Sequence, residues 1–437
     1  MAAANFTDWD PALKEVYDER EVKCLSYGDN VLLGLFEKKK DHGGKHFVQA
    51  FHVKGATGAS ASLAVAKTNN KASKFRELNL TRVSHFQRIS IELQLLLATS
   101  KSEEAFVKAK EEFDTGFEQL SNKFDQRLFR GKSGSIGQIA ATSSITTDLI
   151  TLTDKADSWN FEEGDMIAFS STDGGGTLRD SGDVVEVESV DPMTGIVTIV
   201  EANLGTEIAS VAVGDYIFME GDHDACMSGL EDWLPVTDRA TKLAASFFGM
   251  VRTAYPVKLG GVYLDATALG LDANGILVRL VSDVVMHGKR AKGKPDLVIC
   301  PWDFFKDLQQ IWLSKKHLFE NIEASIREPM EDGSTLVLNK LYPGMMSIVG
   351  GVKLKIIPSR HCPSSRLYCL KRDTWTIHHV GRTLPMFPLE EIEGQNLRVD
   401  DTVSGQTDLH VATWLAAYGN LGCSNPGANG VAKLPTL

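Results

Sequence analysis

Apolar and polar positions follow different periods in different parts of the chain. Lys45 to Lys54 alternates, with Phe47, Ala50 or Phe51, and Val53 among polar partners; Leu78, Leu80 and Val83 alternate again after a long gap. A period of two gathers apolar side chains on one strand face, so the two runs predict the legs of a long hairpin. The intervening tip, Gly55 to Lys74, holds Gly, Ala, Ser, Thr and Asn and too little apolar bulk to bury itself. An isolated hairpin is marginal in water, so this one is expected to dock onto another subunit.

The period then lengthens. Ile89 to Ala98 is an apolar segment that predicts a helix, interrupted at Thr99–Ser102. Ser100 and Glu103 have capping-box spacing, and Glu103 and Glu104 suit the positive end of the next helix. Phe106, Ala109, Phe113, Phe117, Leu120, Phe124 and Leu128 fall every three or four residues. They predict one helix to about Phe129, roughly 40 Å long at ~1.5 Å per residue, stopped by Gly131-Lys132-Ser133-Gly134. Its aromatic stripe reads as core or interface. A shorter helix is expected within Asp10–Tyr27, with Pro11 in its first turn.

From Ile145 to Gly221 the texture is strand. Val185 and Val187 alternate with Glu186 and Glu188, Asp191–Gly195 reads as a turn, and Ile196–Val200 as the partner strand. Two similar pieces, Glu163–Ile167 and Val213–Ile217, bracket the unit, which predicts a small inserted β-barrel. After Trp233 the chain is mixed. Asp272 is placed to cap a helix carrying Ile276, Leu277, Leu280, Val281, Val284 and Val285. Leu297–Cys300 reads as a buried strand, and Pro301 opens a helix through Trp302, Phe305, Leu308 and Trp312. Strands are expected at Gly351–Pro358, Arg366–Leu370, Trp375–Val380 and Leu409–Leu415, before a Gly/Asn/Pro-rich tail. Elements mix without a strict βαβ repeat, so the fold class is α+β.

Composition narrows the function. The chain has 437 residues, 43% hydrophobic and 24% charged, as in globular proteins of two or three domains. A net charge of −11 argues against a broad nucleic-acid-binding face. The charge is uneven: Lys38 to Arg76 carries Lys38, Lys39, Lys40, Lys45, Lys54, Lys67, Lys71, Lys74 and Arg76 against Asp41 alone. In an acidic protein such a segment has a ready partner in the surface of an identical neighbour. No apolar run resembles a signal peptide or a membrane span. Cys24, Cys226, Cys300, Cys362, Cys369 and Cys423 form no C-x-x-C pair and read as reduced core thiols.

Candidate chemistry is sparse. Gly131-Lys132-Ser133 lacks the earlier glycine of a phosphate loop, since Gln126 stands there, and reads as a helix stop. Asp222, His223, Asp224 and Cys226 are too close along the chain to converge on one ion, and read as a surface turn. His42 and His46 are separated by glycines. His378 and His379 lie in a strand, one ring in and one out. No hydrolase, zinc-protease or calcium-loop pattern occurs. No catalytic residue, cofactor or metal is expected.

The order of these elements resembles the major capsid proteins of tailed bacteriophages, the Hong Kong 97-type fold. The carriers are the Lys/Gly-rich loop from Phe36–Lys40 to Phe75, the Leu78–Ile91 strand, the long helix ending at Arg130–Gly134, Gly221-Asp222, Gly229–Pro235 and Asn420–Pro426. The resemblance covers most of the chain outside the β-rich insertion. It implies an N-terminal arm (1–37), an extended loop (38–88), a peripheral domain with a spine helix (89–139), an inserted β-domain (140–221), more peripheral domain (222–254), a mainly axial domain (255–385) and C-terminal strands (386–437). It implies a virion structural protein and not an enzyme: hexamers and pentamers of an icosahedral shell around double-stranded DNA, assembled in the host cytoplasm. The cations of the loop would contact a neighbouring subunit, and Phe106, Phe113, Phe117, Leu120, Phe124 and Leu128 would pack the spine. Because the loop begins so near Met1, a separate scaffolding protein is expected. A portal is a further partner and a decoration protein another candidate. Some relatives join a loop Lys to a neighbour's Asn; Lys67, Lys71, Lys74 and Asn396 are available here, though such a crosslink is not expected. The alternatives are an encapsulin-like nanocompartment shell and a cytoplasmic α/β enzyme with an inserted β-domain.

Overall fold

The structure, a computed structural model, describes residues 30–40, 44, 46–92, 116, 118–291, 293–314, 326–329, 335–338, 345–349, 351–380, 387–388, 398–400 and 410–435. The expected 10–27 helix, the 100–103 cap, Phe106, Ala109, Phe113, Phe117, Lys45, His42, Cys24 and Asn396 lie outside them. Within them the fold is α+β, built on three six-stranded sheets.

One sheet is mixed, in the order Val262–Asp265, Gly430–Lys433, Arg366–Leu370, Leu297–Cys300, Val352–Pro358, Met345–Val349. Its central strand Leu297–Cys300 is buried throughout. Val298 and Cys300 face the core under the helices Ala273–Ala291 and Trp302–Ser314, whereas Leu297 and Ile299 face the main core. A strand covered on both faces needs apolar residues at every position, so its sequence does not alternate. Asp272 caps the first helix as expected, accepting from Gly275 N–H at 2.7 Å. The predicted C-terminal tail is in fact structural. Gly430–Lys433 is an interior strand, parallel to Val262–Asp265 and antiparallel to Arg366–Leu370. Gly430 belongs there because a Cβ would lie 2.5 Å from Val284.

A second sheet is organised by His410–Cys423, fourteen residues long. It pairs with Trp375–Val380, Phe387–Pro388 and Arg398–Asp400, and also with Val83–Glu92; Glu37–Lys39 runs parallel to Trp375–Val380. Two expectations fail here. Residues 89–92 are strand, paired with 410–413, where a helix was predicted; Val83 opens this strand and is not part of the hairpin. A short apolar run carries no period that separates helix from strand, and the distant partner decides. His378 and His379 are both buried, not one in and one out. Their strand is flanked by Glu37–Lys39 and His410–Cys423, and both its faces are covered, since Trp375 and Ile377 lie in the main core on the His379 face and Phe47 packs on the other. The His378 ring stacks on Phe47 at 3.9 Å and lies over Gly422.

The third sheet follows the order Ser135–Gln138, Tyr216–Met219, Met166–Ser170, Val185–Asp191, Ile196–Ile199, Leu149–Thr151. Its ends meet. Ile139 bridges Leu152, Ala140 N–H donates to Thr151 O at 2.8 Å, and Thr153 N–H to Gln138 O at 2.8 Å. The strands therefore close into a barrel around its own core of Ile136, Ile150, Ile167, Phe169, Val185, Val197 and Ile217, among others. The two similar sequence pieces build the same turn twice. Gly164 and Gly214 take φ of 84° and 88°, and Asp165 and Asp215 each accept from the backbone N–H three residues earlier. The Asp191–Gly195 turn forms as expected, with Asp191 accepting from Met193 N–H and the Thr194 hydroxyl.

Candidate assembly arm and its anchoring seam

The hairpin forms with His46–Lys54 antiparallel to Lys74–Thr81, Phe47 opposite Leu80 and Phe51 opposite Arg76. Alternation then sorts its two faces. Phe51, Val53, Leu78 and Leu80 are buried in the main core, with Phe47 half-buried beside them, whereas Val48, Ala50, His52, Phe75 and Glu77 are exposed. Arg76 Nε donates to the Tyr255 hydroxyl at 3.3 Å, and Asn79 N–H to Phe248 O at 3.4 Å. The legs therefore dock on their own subunit, and the expectation that the whole hairpin needs a neighbour is corrected. Four apolar side chains on one face supply that docking, about 1.5–3 kcal/mol for each one fully buried.

The tip is different. Thr57 and Lys71 exchange both backbone hydrogen bonds, at 3.0 and 2.9 Å, and beyond them Leu63–Thr68 forms a helix that the composition did not predict. None of its residues is buried; Leu63 is 72% exposed. The candidate cations divide accordingly. Lys54, Lys67, Lys71 and Lys74 are exposed at or near the tip. Arg76 is tied to Tyr255. Lys38 and Lys39 belong to the edge strand of the second sheet, where Lys39 pairs with Glu37 at 3.2 Å, and Lys40 follows that strand.

Beneath the arm lies the helix at 118–129, which stops at Arg130–Gly134 as expected. Leu120, Phe124 and Leu128 are buried, and the Phe124 ring meets His85 edge-on at 6.0 Å. The flanking face carries an arrangement that sequence reasoning missed. Lys123, Arg127 and Arg130, at i, i+4 and i+7, hold Asp165 (2.6 Å), Asp222 (2.5 Å) and Asp157. Asp157 and Asp165 belong to the barrel and Asp222 to the turn that leaves it, so the row ties the barrel to the helix. The spacing of the three cations was readable; their partners, 27 to 95 residues away, were not. The Asp222–Cys226 segment is a turn with Asp224 and Ala225 at the surface, as expected, while Asp222 reaches the seam. Cys226 is buried, and burial pushes its thiol up to about 12. Cys300, Cys362, Cys369 and Cys423 are likewise buried and unpaired by disulfide.

The seam carries opposed titrations. Asp125 accepts from Leu33 N–H at 2.8 Å and fastens the 31–35 turn to the helix; burial raises its carboxyl to about 7. Burial also raises Asp157, to about 6, against the pull of Arg130. Burial drives the His85 imidazole well below its usual range, with Arg127 adding to it, and lowers His361 to about 3, with Arg360 and Arg130 adding. A carboxyl with a raised folded pKa contributes stability that is present at low pH and lost as pH rises through about 6–7. A histidine with a depressed folded pKa does the opposite: its contribution is present above about 6.5 and lost on acidification. The two effects offset one another between pH 7 and 4. Asp125→Asn keeps an acceptor for Leu33 and removes one of the acid-side gains. In denaturant titrations of unassembled subunits the variant should match or exceed the parent by about 1–2 kcal/mol at pH 8 and fall behind it steadily toward pH 5. Parallel curves would mean that Asp125 is ionised in the folded chain.

Among the described residues no cluster of His, Cys, Asp or Glu could hold a metal, and no helix is long and apolar enough to cross a membrane. No family model and no curated protein matches the chain. Solved structures do resemble it. The cyanophage A-1(L) capsid asymmetric unit matches 94% of this chain and 93% of its own, with a TM-score of 0.49 and 10% identity. A Gordonia phage Cozz structure matches 94% and 87%, at 0.43 and 10%. A virus-like particle from Pyrococcus furiosus matches 94% and 95%, at 0.36 and 7%.

Proposed function

We propose that this chain is the major capsid protein of a tailed phage, a structural subunit that closes into an icosahedral shell of hexamers and pentamers around double-stranded DNA. The observation that carries the reading is the arm. Its legs are fixed in the subunit's own core, while residues 55–73 form a tip in which no residue is buried. Chain ordering costs about 1–2 kcal/mol per residue, and an exposed helix of six residues is too short to recover that alone. A neighbouring copy that receives the tip would. The sequence resemblance to tailed-phage capsid proteins supports the same role, and the acidic balance suits a wall that encloses DNA without adhering to it. A scaffolding protein and a portal are its expected partners. Each contact need only be modest, because a subunit held by several neighbours gains from closure.

Electron microscopy of the purified protein, expressed alone and together with a scaffolding protein from the same genome, tests the proposal. Closed shells of uniform size are expected. Monodisperse small oligomers under both conditions would overturn it.

A further inference from the structure

The net charge of the chain is concentrated in one unit. Residues 135–219, the barrel, contain fifteen Asp and Glu against Lys155 and Arg179 alone, a balance of −13, so the rest of the chain is slightly positive. The arm is the counterpart: between His46 and Arg76 there are five Lys and Arg and no acid. Part of the barrel's excess is consumed within the same chain, since Asp157 and Asp165 hold Arg130 and Lys123 of the helix segment and Asp215 holds Arg179 of the barrel itself. The other exposed carboxylates include Glu163, Asp173, Asp191 and Glu207, but two share one strand face. Glu186 and Glu188 are exposed, alternating with the buried Val185 and Val187, and Asp183 is exposed just before them.

That strand also presents apolar surface. Met166 is the register partner of Glu186, and Val200 N–H donates to Glu186 O at 3.0 Å, which sets Met166 and Val200 on either side of the carboxylate strand. Both are exposed, Val200 at 56%. The tip has the matching composition, with Leu63, Val65 and Phe75 exposed among Lys54, Lys67 and Lys71. A purely polyanionic ligand such as DNA would use the lysines and leave these apolar groups uncovered. A protein surface with carboxylates between apolar side chains covers both.

We infer that the cationic arm tip of one copy docks on the outer face of the barrel of an adjacent copy, with Lys67 and Lys71 directed to Glu186 and Glu188. This rests on the shell reading and names the surface that receives the arm. Opposed net charges of this size steer the encounter and fix its register, and the apolar contacts hold it once made. Because the charges are exposed and screened within about 8 Å at physiological ionic strength, assembly should slow as salt rises while the barrel's own fold is unaffected.

Charge reversal and its complement test the docking. Lys67→Glu with Lys71→Glu should reduce the yield of closed shells by about tenfold or more, and adding Glu186→Lys with Glu188→Lys to the same chain should restore most of it. Carbodiimide crosslinking of shells assembled from mixed heavy- and light-isotope subunits should join Lys67 or Lys71 to Glu186, Glu188 or Asp183 between copies. Shells that form normally, with tip lysines crosslinked to other carboxylates, would overturn the assignment and leave the shell reading intact. Normal assembly of the reversed tip with loss of DNA retention alone would make the tip a DNA contact and overturn it too. Failure of the unmodified chain to form shells would remove the shell reading, and the docking with it.

Discussion

Subunits in which residues 58–70 are replaced by Asn-Gly should fold normally and form no closed shells. Thr57 and Lys71 already exchange both backbone hydrogen bonds across the hairpin, and a two-residue Asn-Gly loop is the turn such a pair accepts with least strain. The excised tip contributes no buried residue to its own subunit. Its removal should therefore leave the unfolding free energy within about 0.5 kcal/mol of the parent. Phe51, Val53, Leu78 and Leu80 stay in the core, so the legs remain docked. Assembly should respond far more strongly, because the same contact is lost at every interface of a shell at once. Sedimentation and negative-stain microscopy would show free subunits or isolated capsomers. Shells of ordinary size and yield would refute the assembly role of the tip.

A second large effect is expected at Gly229, for a different reason. Gly229 has φ −97° and ψ −168°, a conformation open to any residue, so its glycine is not explained by backbone freedom. It is explained by approach. A Cβ there would stand 1.7 Å from Arg130 O and 2.5 Å from Arg127 O, the carbonyls at the end of the 118–129 helix. Backbone atoms cannot rotate away as a side chain can. On one side Ser228 N–H is fixed to Asn420 Oδ1 at 2.9 Å, and on the other Trp233 Nε1 donates to Leu421 O at 3.1 Å. The segment therefore cannot back off without breaking its attachment to the His410–Cys423 strand. Gly229→Ala should cost more than about 3 kcal/mol, beyond ordinary overpacking, and reduce soluble yield. Gly164→Ala is the control. Gly164 has a left-handed φ of 84° but nothing within 4 Å of a Cβ, so it should lose only about 1–2 kcal/mol of backbone strain. Equal melting temperatures for the two variants would contradict the close-approach account.

What the sequence showed depended on how local the cause was. The arm was visible because polarity and charge are properties of the residues themselves. The helix stop at Arg130–Gly134 was visible for the same reason, as were the Asp272 cap, the Asp191–Gly195 turn and the buried Leu297–Cys300 strand. The readings that failed concern residues whose state is set by partners far along the chain. Residues 89–92 are a strand because 410–413 lie beside them. His378 and His379 are both buried because both faces of their strand are covered, by Phe47 over His378 and by the main core on the face of Trp375, Ile377 and His379. The polar C-terminal segment is an interior strand because Gly430 leaves room for Val284.

The sequence by itself therefore determined the local grammar of this protein: a cationic arm too polar to bury its own tip, an amphipathic helix with a defined end, and a β-rich stretch with its own alternating core. Only the tertiary structure decided how these parts bear on one another. It seated the legs of the arm on their own subunit and freed the tip. It tied the barrel expected from the β-rich stretch to the helix, by setting Lys123, Arg127 and Arg130 against Asp165, Asp222 and Asp157. The physical reason is range. Periodicity and turn chemistry act within a few residues, whereas burial on two faces, close backbone approach and ion pairing need surfaces that only the folded chain brings together.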